Sequence, residues 1–204
     1  MATINTSILQ WSAASASMPG ESISGDRCLV KEFPGGVLTA VVDGLGHGRE
    51  AAEAAFRAIQ TMEQCPSDSV VMLVNRCHQS LRRTRGVVMS LASFSAADQT
   101  MTWLGVGNVR GILLRADPKK APTYETLFLN HGVVGGNPPS VRAFILRVSL
   151  GDTLILATDG IAGGIEYKLT PCEPPQQIAK RILSQSRLGT DDALVLVARY
   201  TGST

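Results

Sequence analysis

Aromatic residues make up only 5% of the 204-residue chain. None of them interleaves with basic residues in the way that stacks on single-stranded nucleic acid. Trp11 and Trp103 therefore read as core or strand residues. Charge of one sign is scarce as well: 19 basic against 17 acidic residues leave a net +2, which gives little pull toward nucleic acid or anionic lipid. The four cysteines, Cys28, Cys65, Cys77 and Cys172, form no CxxC pair and show no zinc spacing. Isolated thiols of this kind read as buried small hydrophobes in a reducing compartment. Long hydrophobic runs are missing too. The longest, Gly86 to Ala97, is closed by Arg85 and Asp98 and is too short to cross a bilayer. The uncharged start is no secretory signal, because Thr3, Asn5, Thr6, Ser7 and Gln10 interrupt its apolar residues and the first basic residue is Arg27. These absences lead to the expectation of a cytoplasmic protein with neither a nucleic-acid nor a membrane partner. A monomer is expected, since no unassigned amphipathic stripe remains.

A hydrophobic share of 44% suits one packed domain and excludes disorder as the main state. Apolar alternation predicts strands at Ile8–Ala14, Arg27–Phe33 and Gly36–Asp43, with a turn at Pro34-Gly35-Gly36. Helical spacing of Ala52, Ala55, Phe56, Ile59 and Met62 predicts a helix over His47–Met62. A second helix is predicted over Asp68–Thr84, with Ser67 or Asp68 as its cap. Further strands are expected at Val87–Ala96, Gln99–Val106, Arg110–Arg115, Tyr124–Leu129, Ala143–Val148, Thr153–Thr158 and Ala193–Tyr200, and a third helix at Pro175–Gln185. Loops are expected at Asn130–Ser140 and Thr170–Pro175. Two adjacent helices among many short strands argue for an α+β fold with largely antiparallel sheets.

The chemistry lies in where the aspartates fall. Asp43 ends the strand in Val41-Val42-Asp43-Gly44, and Asp159 follows another in Leu156-Ala157-Thr158-Asp159-Gly160. Asp191-Asp192 stands just before Ala193-Leu194-Val195, and Ser24-Gly25-Asp26 before Arg27. A lone Asp-Gly is ordinarily a turn, and Asp117 and Asp152 read as turn residues. Several carboxylates gathered at strand mouths would repel one another without a cation, and oxygen-only ligands suit Mg²⁺ or Mn²⁺ rather than zinc. Two such ions could share a carboxylate, activate a water and clamp a phosphoryl oxygen.

Val41-Val42-Asp43-Gly44-Leu45-Gly46-His47-Gly48 resembles the first metal motif of the PPM-type metal-dependent protein phosphatases, in the form used by their SpoIIE-like bacterial branch. Ala157-Thr158-Asp159-Gly160-Ile161, Asp191-Asp192 and Ser24-Gly25-Asp26 resemble the later and earlier aspartate motifs in the same order, across roughly residues 8 to 200. The resemblance implies one catalytic domain over residues 1–204, similar to the small stand-alone members tied to stressosome signalling. It implies a four-layer αββα sandwich of two antiparallel β-sheets flanked by helices. It further implies hydrolysis of phosphoserine or phosphothreonine on phosphorylated STAS-domain proteins of a stressosome.

By the same resemblance Asp43 would bridge two Mn²⁺ or Mg²⁺ ions and the Gly44 carbonyl would bind the second. Asp159 and Asp191 would complete the first site, and Asp26 would act near the second ion, directly or through water. A metal-bound water would attack phosphorus in line. Asp43, Asp159 and Asp191 thus carry the catalytic assignment, with His47 as a candidate acid for the leaving oxygen or else a structural residue at the helix start.

Two departures from the family stand out. The arginine that helps bind phosphate in eukaryotic members is missing, since Ser22, Ile23, Ser24 and Gly25 precede Asp26. Asn108 stands in Gly107-Asn108 where many members have aspartate, so a third ion is not expected. Alternatives from other classes are a non-catalytic binding module on the phosphatase fold and a different two-metal phosphate-ester hydrolase. His78 and His131 receive no assigned role, and Arg82, Arg83 and Arg85 read as a solvated helix end or, second, a dock for an acidic partner.

Overall fold

The computed structural model describes residues 4–117, 119, 122–136, 141–164 and 173–202. Two six-stranded sheets lie face to face. The first has the order β1 (Ile4–Asn5), β2 (Leu9–Ala16), β12 (Ala193–Tyr200), β11 (Thr153–Ala157), β7 (Arg110–Leu114), β8 (Tyr124–Thr126). The second runs β10 (Phe144–Arg147), β6 (Thr100–Val106), β5 (Val87–Ser95), β4 (Gly36–Gly44), β3 (Asp26–Phe33), with β9 (Leu129–Asn130) pairing β6. Helices α1 (Arg49–Gln64) and α2 (Val70–Leu81) cover the second sheet, and α3 (Pro175–Ser186) covers the first. This is the expected two-sheet sandwich flanked by helices.

Three apolar layers follow from the alternation along the strands. Trp103, Phe94, Met101, Leu154 and Leu196 fill the space between the sheets. Leu73, Cys77, Leu81, Ala54, Ala58 and Met62 seal the two helices onto β4 and β5, while Ile178, Ala179 and Ile182 seal α3 onto β12. Strands buried on both faces read as unbroken apolar runs, and the burial of Gly36–Val42 in β4 shows this directly.

Several boundaries differ from expectation, each for a local reason. Helix α1 starts at Arg49 rather than His47, because Gly46 and Gly48 hold φ of 84° and 77°, outside the helical region. Phe56, expected on its buried face, is exposed; alanines at 51, 52, 54, 55 and 58 fill that face instead and let the helix lie close to the sheet. The cap of α2 is Ser69, whose Oγ accepts the Met72 N–H at 3.3 Å, not Ser67 or Asp68. Asp68 instead meets Arg76 at 2.6 Å. The single strand expected over Tyr124–Leu129 divides between the sheets: Leu127 N–H donates to Gly111 O, and two residues later Leu129 lies beside Gly105. That β6–β9 pair is parallel within otherwise antiparallel sheets. Parts of both expected loops, and Cys172, lie outside the described residues.

Candidate metal centre

Each pair of carboxylates comes from one sheet. Asp26 opens β3 directly opposite Asp43 near the end of β4, so register alone places the two side by side. In the facing sheet β11 ends at Ala157, just before Thr158-Asp159, and β12 begins at Ala193, just after Asp191-Asp192. Hydrogen bonds join the halves. Thr158 Oγ1 donates to Asp26 Oδ2 at 2.8 Å and accepts the Leu194 N–H at 2.9 Å. Asp192 accepts the Gly25 N–H at 2.6 Å and the Met18 N–H at 2.7 Å, one on each oxygen. Both Asp-Gly junctions need glycine for close approach. A Cβ at Gly44 would lie 2.1 Å from Ala51 O, and one at Gly160 would lie 1.9 Å from Asp192 O.

The electrostatics are those of anions short of a cation. Burial pushes the Asp43 carboxyl up to about 8, reinforced by Asp26, Asp159, Asp191 and Asp192. Burial likewise raises Asp26 to about 7, offset in part by the Thr158 hydroxyl and reinforced by Asp192, Asp159 and Asp191. Asp159 is raised by burial and then by Asp191, while the Asn108 amide, donating to its Oδ2 at 2.8 Å, works the other way. Among the described residues no three His, Cys, Asp or Glu side chains already converge as a closed cage. The donor set nevertheless fits a hard divalent cation: all oxygen, mutually repelling, and held by backbone contacts. Beside Asp159 opens a cleft of about 440 Å³ lined in part by Asn108, Arg110, Leu129, Ile161 and Leu188. The Arg110 guanidinium donates to the Ala162 carbonyl at 3.0 Å and to that of Ile161.

Asp26, Asp43, Gly44, Asp159 and Asp191 thus meet at one end of the sandwich. His47 sits in the same loop region but is exposed, its Nδ1 2.8 Å from Glu21 Oε1. His131 is exposed, and His78 is structural, its Nδ1 accepting the Gly135 N–H at 3.1 Å. The positioning residues Thr158, Asp192 and Glu21 carried no assigned role in the sequence reading. The first two lie inside recognised motifs, but nothing in spacing distinguishes a ligand from the residue that anchors the backbone beside it. Burial pushes the thiols of Cys28 and Cys77 up to about 11 and about 12, which removes them as thiolate nucleophiles near neutrality.

The two-sheet sandwich flanked by helices is the fold of the PP2C-type phosphatases. The family model for Stage II sporulation protein E (SpoIIE) matches residues 34–201, and the chain belongs to that family. Phosphoserine phosphatase RsbX of Bacillus subtilis (strain 168) is 29% identical over 144 residues, 70% of this chain and 69% of its own. A chain solved in work on the bacterial stressosome, a modular system adapted to control secondary-messenger signalling, is 31% identical with a TM-score of 0.82, over 94% of this chain and 99% of its own. RsbX in complex with magnesium has the same fold at a TM-score of 0.86 and 23% identity, over 98% and 99% of the two chains.

Proposed function

We propose that this phosphatase hydrolyses phosphoserine or phosphothreonine on STAS-domain proteins of a bacterial stressosome, in the cytoplasm. The observation that carries the reading is the gathering of Asp26, Asp43 and Asp159, all with raised carboxyls, beside Asp191, with no charge-balancing side chain among the described residues. Likeness to a phosphoserine phosphatase and to a stressosome-related chain supports the substrate class. Among the described residues no helix is long and apolar enough to cross a membrane.

Asp43, Asp159 and Asp191 would hold one Mn²⁺ or Mg²⁺ ion, and Asp43, the Gly44 carbonyl and Asp26 a second. When bound, such ions supply a strongly nucleophilic water at neutral pH and neutralise phosphoryl charge. The protein's own part is positional. Thr158 and Asp192 hold Asp26 and the Gly25 backbone, so the carboxylates face the phosphoryl group without reorganising. Asn108 donates to Asp159 and fixes its second oxygen, taking the place of a carboxylate that would favour a third ion. The cleft beside Asp159 would receive the phosphorylated side chain. His47, oriented by Glu21, would hold the proton needed by the departing serine oxygen.

The test is phosphate release with Mn²⁺ from a phosphorylated STAS protein and from an aryl phosphate, for the wild type and His47→Ala. Release from both by the wild type is expected, with His47→Ala slowing only the phosphoprotein, whose leaving group is poor. No release from any phosphorylated STAS protein, with the aryl ester still cleaved, would instead favour a small-molecule phosphate-ester hydrolase. Equal losses on both substrates would return His47 to a structural role.

A further inference from the structure

Four arginines gather where α1 and α2 lie side by side. Helix α2 ends at Leu81, so Arg82 is its C-cap and Arg83 and Arg85 lie beyond the last turn, while Arg57 belongs to α1. The favourable dipole of one helix end therefore does not account for the cluster. Arg57 meets Glu53 at 3.2 Å and Arg85 meets Glu50 at 2.5 Å. Arg82 and Arg83 are exposed and form no ion pair among the described residues, leaving two positive charges in excess. Two neighbouring pockets, of about 400 and 460 Å³, share Arg57 and Arg83 in their linings.

This ridge runs into the loop that follows Asp43. Gly44 pairs with Val87 across β4 and β5, and Leu45 N–H donates to Gly86 O at 3.2 Å. Arg85 itself overlies the loop, because a Cβ at Gly46 would fall 2.7 Å from its Nη1. Guanidinium groups with free N–H edges match carboxylates in a planar, two-bond geometry that a solvated lysine lacks. The free pair lies at the outer end of the ridge and the engaged Arg85 at the inner end, beside the motif loop.

We propose that this arginine ridge docks an acidic segment of the phosphoprotein substrate, adjoining the phosphorylated residue. The inference rests on the phosphoprotein reading above and adds the chemistry of the segment the enzyme recognises. The ridge contributes affinity and encounter rate, and leaves the bond-breaking step to the carboxylate centre.

The test uses a fluorescent peptide carrying phosphoserine followed by a run of Glu and Asp, and a neutral peptide of equal length with the same phosphoserine. Polarisation should show the acidic peptide binding more tightly, with affinity falling as salt rises. Arg82→Ala with Arg83→Ala should weaken it about tenfold, as expected for two exposed ion pairs, and leave the neutral peptide unchanged. KM for an acidic phosphoprotein should rise by a similar factor, while kcat and aryl-phosphate turnover stay at wild-type values. Unchanged affinity for the acidic peptide in the double variant, with a wild-type melting curve, would overturn the proposal. So would equal binding of both peptides, or an oligothymidine that binds as tightly at the same salt. Arginine-dependent binding of the acidic peptide without release of its phosphate would support the dock and count against the phosphatase reading alone.

Discussion

Aspartates occupy both ends of the sandwich, and the two ends handle their charge in opposite ways. At the end away from the proposed metal centre Asp152 is only 2% exposed, yet its carboxylate meets Arg115 Nη1 at 2.7 Å and accepts the Ala116 N–H at 2.9 Å and the Ser149 N–H at 3.0 Å. Arg115 also pairs with Glu125. Burial alone would lower the guanidinium's pKa, but hydrogen bonds to Asp152 and Glu125 hold it above its ordinary value. At the other end Asp26, Asp43, Asp159 and Asp191 have one another, a threonine and an asparagine, and the carboxyls of Asp26, Asp43 and Asp159 are raised. The lesson is that burial of an aspartate is not the mark of a metal site. The mark is burial among other carboxylates with no arginine or lysine to balance them.

The sharpest way to break this contrast is at its centre. Asp43→Asn should lower phosphoester turnover by on the order of 10³-fold and abolish the rise in Tm that Mn²⁺ gives the wild type. A variant that keeps its full Mn²⁺ response in thermal melts would remove Asp43 from the bridging position. At the compensated end Asp152→Ala should cost about 3 kcal/mol, because it leaves a mostly buried guanidinium with one partner fewer. Its folded fraction should keep wild-type kcat, and chemical denaturation read beside an activity assay checks both halves of that statement.

The two ends should also part company in their pH response. The unfolded-state carboxyls titrate near 4, while those of Asp26 and Asp43 in the metal-free fold titrate at about 7 and about 8. Over that interval the native state binds more protons than the unfolded chain, so metal-free stability should fall as pH rises from 4 to 8. Saturating Mg²⁺ should flatten the decline, and Asp43→Asn should reduce it; a metal-free Tm that rises between pH 5 and 8 would contradict the assignment. A smaller effect is expected at Asn108. Asn108→Asp replaces the donor to Asp159 with another anion, so Mn²⁺ dependence should gain a second, weaker phase, read by titrating activity at fixed substrate.

Much of the layer order was legible in the residues, because buried strands and amphipathic helices leave opposite periodicities. Helix starts and caps were less so. The shift of the α1 start from His47 to Arg49 depends on two glycines at positive φ, which composition permits but does not require. The split of the strand over Tyr124–Leu129 depends on a switch of partners between Gly111 and Gly105, a tertiary event with no local signature. In the site, the four aspartate junctions could be read from strand ends followed by glycine. What could not be read was division of labour. Asp191 and Asp192 are adjacent and chemically identical, yet Asp192 is spent on the Gly25 and Met18 amides, and only the fold distinguishes them. Asp152 reads as a turn residue for the same reason, since its guanidinium partner lies 37 residues away in sequence.

Two bonds that cross between the sheets at the carboxylate cluster, Thr158 to Asp26 and Gly25 to Asp192, act as alignment pins for the sandwich. Because half of the carboxylates ride on each sheet, sliding one sheet by a single residue would carry the halves about 3.3 Å apart while most of the apolar filling still found contacts. The centre is thus a vernier for the register of the two sheets, far more sensitive to shear than the core is. On gentle heating or in dilute denaturant, loss of cation affinity should come before loss of secondary structure, and the enzyme should fall silent while its strands are still intact.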